Sequence, residues 1–244
     1  MRSLDSFLPA GALPSLSATP PDRTVERNGV SYSFNNLGYR SVDFDTPADL
    51  RIIAIGCSYV MGVGLAQADL FHELFAEKLR RETGKTVAVL NLGAVGRSND
   101  YIARLLHLAV PLLKPEIVLI NFTHPVRREY ISVQNELLTY VPSFQPGNRV
   151  VRDIYGHFAG LTSPLDDDLN LFRNYKSVEA LLGDSAWLFS SITANDFDRI
   201  GAHISMNRYA GAMPQLDKGQ DGSHPGPQSH KALMEKYWER YLTL

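Results

Sequence analysis

The feature that most constrains this fold is a short apolar run that ends in a turn of small residues. Residues 51–55 read RIIAI and lead directly into residues 56–58, which read GCS. A continuous apolar run bounded by glycine is typical of a strand buried on both faces, as in a parallel sheet. The apolar residues of the next segment, 70–79, have helical spacing, and Gly84 predicts the end of that helix. Ser58 is therefore predicted to lie between a strand and a helix, at the carboxyl end of the strand, where open α/β sheets have their sites.

The same alternation of strand and helix continues along the chain. Further buried strands are predicted at 86–91, 116–122 and 187–193, and further helices at 99–113, about 166–182 and 229–242. Strands that are joined through helices by short links pair in parallel, with right-handed crossovers. The predicted fold class is therefore α/β: a three-layer α/β/α sandwich with a doubly wound, mainly parallel sheet of about five strands.

Two regions depart from this alternation. The length of 244 residues suits a single domain over the whole chain. Within it, residues 1–48 are predicted to form an N-terminal extension and an edge ribbon, with a short hairpin or edge strand at Asn28-Gly29. Residues of about 126–175 are predicted to form an insertion over the strand ends, helical at 130–140 and irregular at 142–156. An ordinary surface excursion is the alternative for this segment.

Charge and composition exclude several classes of partner. The formal net charge is −2 and the isoelectric point is near 6.4, which gives no electrostatic reason to expect nucleic acid or an anionic membrane as a partner. The single cysteine rules out an internal disulfide and fits a reducing compartment. The N-terminus has no signal-peptide pattern, and no apolar run approaches the roughly 20 residues that span a bilayer. We therefore expect a cytoplasmic protein that binds a small molecule and needs no metal or cofactor.

A serine hydroxyl is a poor nucleophile unless a general base activates it. The candidate base lies far downstream, where Asp221 and His224 are three residues apart in a loop that is rich in small residues. There the carboxylate can orient the imidazole, and the imidazole can reach Ser58 if the fold brings the two segments together. Ser58, Asp221 and His224 are thus the candidate catalytic residues.

These segments resemble signature blocks of the SGNH (GDSL-type) hydrolases. The turn at residues 56–58 stands in for the family's Gly-Asp-Ser, and Asp221-x-x-His224 matches its Asp-x-x-His. Residues 89–98, which read VLNLGAVGRS, resemble the second block, with its glycine at Gly96. The resemblance implies a flavodoxin-like SGNH fold, the nucleophile and triad given above, and an oxyanion hole that includes the backbone N–H groups of Ser58 and Gly96.

The third block is where this sequence departs from the family pattern. The family has Gly-x-Asn after its third strand, and its asparagine amide donates to the oxyanion. Here Thr123 falls on the glycine and Pro125 on the asparagine, and proline has no N–H to donate. We expect His124, one residue away, to supply the missing donor, with Asn99 as an almost equal alternative.

Three other residues enter the predicted site. Cys57 is a rival nucleophile because a thiol is intrinsically more reactive than a hydroxyl, but we interpret it as a buried structural residue. Residues 36–40 resemble a segment that precedes the nucleophile block in one branch of the family, which makes Arg40 a weak candidate for substrate binding. A solvated Arg40 on an edge ribbon is the alternative. Arg127, after the third strand, is a second weak candidate for substrate binding.

Three functions are compatible with this pattern. The leading hypothesis is a serine hydrolase that cleaves a small O-acyl or thio ester through an acyl-enzyme on Ser58. An O-acyltransferase would use the same triad but exclude water and admit an acceptor alcohol. A non-catalytic ligand-binding protein on a degenerate hydrolase scaffold is favoured only by the missing asparagine. Fold-level resemblance does not decide among them.

Overall fold

The structure, a computed structural model, describes residues 23–131, 137–142 and 149–244. Its central sheet consists of five strands: β3 (Leu50–Ile55), β4 (Val87–Asn91), β5 (Ile117–Phe122), β8 (Ala186–Ser191) and β9 (Tyr209–Ala212). They lie in the order β4-β3-β5-β8-β9, and all neighbouring strands are parallel. The parallel five-stranded sheet of the prediction is confirmed, although β9 was not predicted.

Helices cover both faces of this sheet. The helices are α1 (Ser58–Met61), α2 (Phe71–Thr83), α3 (Asn99–Leu113), α4 (Arg149–Leu161), α5 (Pro164–Leu182) and α6 (Pro227–Tyr241). Helices α3 and α5 pack on one face, where Ile53, Ile55 and Phe189 are buried. Helices α2 and α6 pack on the other face, against Ile52 and Ala54. Because successive strand residues point to opposite faces, both layers bury apolar side chains, and the three-layer α/β/α fold is confirmed.

The predicted hairpin at Asn28-Gly29 is present. It joins β1 (Thr24–Arg27) to β2 (Val30–Ser33), which pair antiparallel in a two-stranded sheet of their own. Asn28 and Gly29 have φ angles of 51° and 72°, the positive values that a two-residue hairpin turn of this kind requires. The apolar side of β2 packs against Met61, just after the Ser58 turn.

Two local predictions in the 126–175 segment were wrong. The described residues of the predicted helix at 130–140 are not helical: β6 (Arg128–Ile131) pairs antiparallel with β7 (Leu137–Tyr140), and residues 132–136 lie outside the described residues. Residues 142–156 are not wholly irregular, because α4 begins at Arg149. Glu129 on β6 forms a long-range ion pair with Arg104 on α3 and accepts two hydrogen bonds from it, at 2.7 and 2.9 Å. Residue spacing within the segment cannot reveal a partner of this kind.

Within the part of the chain that the structure describes, no helix combines the length and apolarity that crossing a membrane would require.

Candidate active site

Ser58 is the first residue of α1, at the turn that follows β3. The turn is tight at Gly56, where an added Cβ would lie 2.7 Å from the backbone oxygen of Asn121, so no side chain fits there. Ser58 is 7% exposed and Cys57 is fully buried at 0%. The Ser58 Oγ lies 4.0 Å from the Cys57 Sγ. The hydroxyl therefore retains some access from outside, and the thiol has none.

The short helix α1, which begins at Ser58, is held by side chains from three other segments. A helix of four residues has no stability of its own, and its carbonyl groups need partners. The Val60 carbonyl accepts from His72 Nε2 at 3.0 Å and from Asn91 Nδ2 at 3.1 Å. The next carbonyls accept from Arg40. These contacts fix the backbone on which the Ser58 hydroxyl depends.

Arg40 has a different role from the predicted one. The side chain is 1% exposed, and its guanidinium donates to the carbonyls of Gly62 at 2.6 Å and Leu65 at 2.7 Å. It also stacks 4.4 Å over the Tyr32 ring. A guanidinium buried against backbone oxygens is not presented to a substrate, so neither substrate binding nor a solvated position describes Arg40. It clamps the chain that follows Ser58.

Asp221 and His224 form a hydrogen-bonded pair in one loop. His224 Nδ1 lies 2.5 Å from Asp221 Oδ2, and the His224 backbone N–H donates to Asp221 Oδ1 at 3.2 Å. The Ser223 hydroxyl donates to Asp221 Oδ2 at 2.6 Å. Burial by itself raises the pKa of Asp221, but the hydrogen bonds from Ser223 and His224 outweigh it and lower the pKa to about 2. Asp221 is therefore a carboxylate at any ordinary pH, and it holds the proton of His224 on Nδ1, which leaves Nε2 as the basic nitrogen.

This loop is docked on the chain that follows Ser58. The Gly64 carbonyl accepts from the Gln220 N–H at 2.8 Å, and a Cβ on Gly64 would lie 2.5 Å from Asp221 Oδ1. Gly64 also has a φ of +83°, so glycine is needed here for two reasons. The ring of Tyr59 packs edge-on against that of His224, with centroids 5.7 Å apart. The fold thus brings the serine segment and the Asp–His segment to one place.

Gly96 lies on a second loop beside the turn of Ser58. The loop is anchored where the Ala94 N–H donates to the Gly56 carbonyl at 3.2 Å and where a Cβ on Gly93 would lie 2.4 Å from the Met61 nitrogen. Gly96 has a φ of +73°. Among the described residues, none accepts a hydrogen bond from the N–H of Ser58 or of Gly96. Both groups are available as donors.

The end of β5 carries the two candidates for the third donor. Asn99 is fully buried, and its amide donates to the Thr123 carbonyl at 2.9 Å and accepts from the Thr123 N–H at 2.8 Å. This geometry does not favour Asn99 as an oxyanion donor, because the side chain is fully buried and one of its two amide N–H bonds is engaged with the Thr123 carbonyl. His124 follows Thr123, the residue that Asn99 holds, and its side chain is partly exposed. The distance from His124 Nδ1 to Asp196 Oδ1 is 3.6 Å, which is too long for a hydrogen bond.

A cavity of about 510 Å³ lies beside the Asp221 loop, between the β1–β2 hairpin and the chain around Gly64. Ser31, Gln67, Lys218 and Gln220 are among its lining residues. None of the three predicted catalytic residues lines it. It is therefore not where we place the reacting ester bond.

Several residues that build this site were not predicted from the sequence. Tyr59, His72 and Asn91 contact His224 or the Val60 carbonyl. Adjacency to Ser58 is a signal for Tyr59, and Asn91 lies within the second block. His72 has no such signal, because its contact depends on how α2 docks.

Two buried histidines, His72 and His230, lie behind the turn of Ser58, and both are 1% exposed. His230 Nδ1 accepts from the Phe71 N–H at 3.2 Å, so the neutral ring is the form that fits. Burial lowers the pKa of His230 to about 3, and His72 acts in the same direction. Burial also lowers the pKa of His72. Both rings are therefore neutral when the protein is folded.

We expect these histidines to make the protein sensitive to acid. Below about pH 6.5 these histidines bind protons in the unfolded chain but not in the folded protein. Their contribution to the free energy of unfolding is therefore fully present above that pH and is lost as pH falls toward 3. The neutral His230 contributes a slope of up to about 1.4 kcal/mol per pH unit, so it removes roughly 2 kcal/mol between pH 6.5 and 4.5, and His72 acts in the same direction. Urea unfolding measured across this range checks the slope.

The matched variants are His230→Asn and His107→Asn. The first keeps an acceptor for the Phe71 N–H and removes one titrating ring, so its slope should fall by up to about 1.4 kcal/mol per pH unit. His107 is on the exposed side of α3, and its replacement should leave the slope as it is. Equal slopes in the wild type and in His230→Asn would show that this histidine does not couple folding to pH.

No protein-family model and no curated protein sequence matches the chain. Similar solved structures include a lipase, Lip_vut3, from a goat rumen metagenome, with 14% identity and a TM-score of 0.48 over 78% of this chain and 97% of that one. A family 3 carbohydrate esterase of Clostridium thermocellum has 11% identity and a TM-score of 0.49 over 78% and 94%. The esterase EstA of a Pseudoalteromonas species has 13% identity and a TM-score of 0.45 over 80% and 98%. Identities and TM-scores this low carry no information about what this chain acts on.

Proposed function

We propose that this protein is a serine hydrolase of the SGNH type, which cleaves a small O-acyl or thio ester through an acyl-enzyme on Ser58. The observation that carries this proposal is the Asp221–His224 pair docked against the chain that follows Ser58. The contact between Gly64 and Asp221 and the ring contact between Tyr59 and His224 support it. The order of the three motif blocks in the sequence supports it independently.

The first half of the proposed reaction forms the acyl-enzyme. His224 Nε2 takes the proton from the Ser58 hydroxyl as Oγ attacks the ester carbonyl carbon, and the carbonyl oxygen becomes an oxyanion. Asp221 stabilises the imidazolium that forms. When the tetrahedral intermediate collapses, the bond to the alcohol or thiol breaks, and His224 gives its proton to that leaving group.

The second half releases the acid. Water enters, His224 takes one of its protons, and the hydroxide oxygen attacks the acyl carbon. Collapse breaks the bond to Ser58 Oγ, which regains its proton from His224. An acceptor alcohol in place of water would transfer the acyl group instead.

A fluorophosphonate probe tests this proposal directly, because it reacts with an activated nucleophile such as the serine of a catalytic triad. We expect stoichiometric labelling, mapped by mass spectrometry to the peptide that contains Ser58, together with hydrolysis of at least one ester in a panel of varied acyl and alcohol groups. Absence of both would refute the proposed function. Product analysis with added alcohol or sugar acceptors distinguishes a hydrolase from an acyltransferase.

We further propose that the oxyanion hole consists of the Ser58 and Gly96 N–H groups and an N–H of His124. The β3–β5 pairing supports this position for His124. Ile55 is opposite Ile120 in parallel register, so the residues that follow each strand emerge side by side. Asn99 fixes the backbone immediately before His124. Among the described residues, none forms a hydrogen bond with the Nδ1 of His124, which lies 3.6 Å from Asp196.

His124→Ala should lower kcat by about 10²–10³ and leave KM nearly unchanged, because an oxyanion donor acts on charge that exists only in the transition state. The measurement is steady-state kinetics on one good ester. His124→Gln restores an N–H donor and should recover part of the loss, which a residue that only packs would not do.

A loss in kcat below about threefold in His124→Ala would mean that His124 is not the donor. Asn99→Ala belongs beside it as a comparison. Asn99 holds the Thr123 backbone, so this change should lower the melting temperature as well as kcat.

A further inference from the structure

Four arginines surround the loops that carry Gly96 and His124, and they divide into two pairs. Arg104 binds Glu129 through two hydrogen bonds, and Arg128 contacts Asp166 at 3.0 Å and Asp167 at 2.7 Å. Arg97 and Arg127 are different: no carboxylate of the described residues lies within ion-pair distance of either guanidinium.

Arg97 follows Gly96 directly and is 6% exposed. It donates to the Thr139 hydroxyl at 3.2 Å and lies 5.3 Å from the Tyr101 ring centroid. Its Nε is buried, and among the described residues it has no hydrogen-bond partner. Burial lowers the pKa of Arg97, and the nearby Glu129, which opposes this, is already engaged with Arg104. Among the described residues, this buried positive charge, one residue from the proposed oxyanion donor, thus has no dedicated counterion.

Arg127 is half-buried and lies in the turn that follows His124, where its N–H donates to the His124 carbonyl at 3.1 Å. Its guanidinium is within 3.5 Å of the Arg97 carbonyl oxygen, a long and weak contact. A guanidinium has five N–H donors, so most of them stay available. Arg127 is thus joined to both loops, through the His124 carbonyl and through the Arg97 carbonyl.

We propose that Arg127, with the fixed charge of Arg97 behind it, binds an anionic group of the substrate beside the reacting ester bond. The preferred substrates are then esters in which the acyl or the alcohol half carries a carboxylate or a phosphate. A guanidinium suits such groups because its N–H donors match two oxygens at once. This inference rests on the proposed function, and it assigns part of the specificity to the 126–175 segment, which begins beside Arg127.

The experiment compares esters with and without an anionic group on a similar skeleton. One arm uses butyryl and hemisuccinyl esters of the same chromogenic alcohol, which places the carboxylate in the acyl half. The other arm uses acetyl esters of glycerol and of glycerol phosphate, which places the anion in the alcohol half. We expect the charged member of one pair to have kcat/KM at least about tenfold above its neutral match, since charge-assisted hydrogen bonds are among the stronger ones.

Arg127→Gln should remove that preference by raising KM for the charged ester about 10–100-fold while it leaves the neutral ester within about twofold. Arg127→Lys should keep part of the preference, because it retains the charge and loses the paired donors. Arg81→Gln on the exposed side of α2 is the control and should change neither ester. No preference in either wild-type pair, or a preference that survives Arg127→Gln, would overturn the anion site.

Calorimetric binding to Ser58→Ala protein separates this inference from the proposed function. Ester hydrolysis without charge preference overturns the anion site and leaves the hydrolase intact. Charge-selective binding that Arg127→Gln removes, in a protein that hydrolyses no ester and takes no fluorophosphonate label, supports the anion site and refutes the hydrolase.

Discussion

Ser58→Ala should abolish ester turnover, with a loss in kcat of about 10⁴-fold or more, and should abolish fluorophosphonate labelling. The loss is this large because the hydroxyl is the atom that forms the acyl-enzyme, and the residual donors and binding contacts cannot replace a covalent step. The fold should be unaffected, since Ser58 Oγ makes only a 4.0 Å contact to Cys57 Sγ among the described residues. Steady-state kinetics and a thermal melt on the same preparation check both parts.

Cys57→Ala is the matched control because it changes the adjacent residue in the same turn. Cys57 is fully buried, so its replacement removes a sulfur from packed surroundings and should cost about 1 kcal/mol of stability. Most of the turnover and of the labelling should remain. Labelling that survives in Ser58→Ala but disappears in Cys57→Ala would make the thiol the nucleophile and refute the assignment.

The central sheet could be predicted from the sequence because its strands are local signals. Residues 51–55, 116–122 and 187–193 are apolar runs that only a strand buried on both faces explains, and the helices between them have their own periodicity. The triad residues could be proposed for a related reason: they occur in short segments where serine, aspartate and histidine stand close to glycine. Such signals do not depend on distant parts of the chain.

What could not be predicted depends on partners far away in the sequence. Arg40 was interpreted as a surface or substrate-binding residue because a charged side chain is rarely buried, and only the fold supplies the carbonyls of Gly62 and Leu65. Asn99 was a candidate donor because it closely follows Gly96, and its amide instead meets the Thr123 backbone. The β6–β7 hairpin and β9 are short strands that their pairing partners define, so spacing within the segment could not reveal them.

Asp221→Asn should lower kcat/KM by about 10²–10⁴ although it replaces one atom. The hydrogen bonds at Asp221 explain why. Oδ1 accepts from the backbone N–H of His224, and Oδ2 accepts from the Ser223 hydroxyl and from His224 Nδ1. An asparagine has one oxygen and one NH₂ group, so on one side of the new side chain an NH₂ donor faces groups that donated to the carboxylate.

If the asparagine oxygen keeps the backbone contact, its NH₂ group faces His224 Nδ1. That nitrogen then has to be the acceptor, and the imidazole proton moves to Nε2, where it blocks the acceptance of a proton from Ser58. The charge that stabilises the imidazolium is lost as well. The wild-type Asp221 has a pKa of about 2, so it stays ionised as pH falls to that value, and the difference between the two proteins should persist at every pH where the fold is stable.

Asp217→Asn is the comparison that isolates this effect. Asp217 is in the same loop and accepts from the N–H groups of Gln228 and Ser229 at the start of α6. The same chemical change there should lower the melting temperature and leave kcat/KM of the folded protein within a few-fold of the wild type. An Asp221→Asn protein that stays within about threefold of wild-type kcat/KM would remove Asp221 from the mechanism, and the pair with His224 would then be a structural contact of the loop.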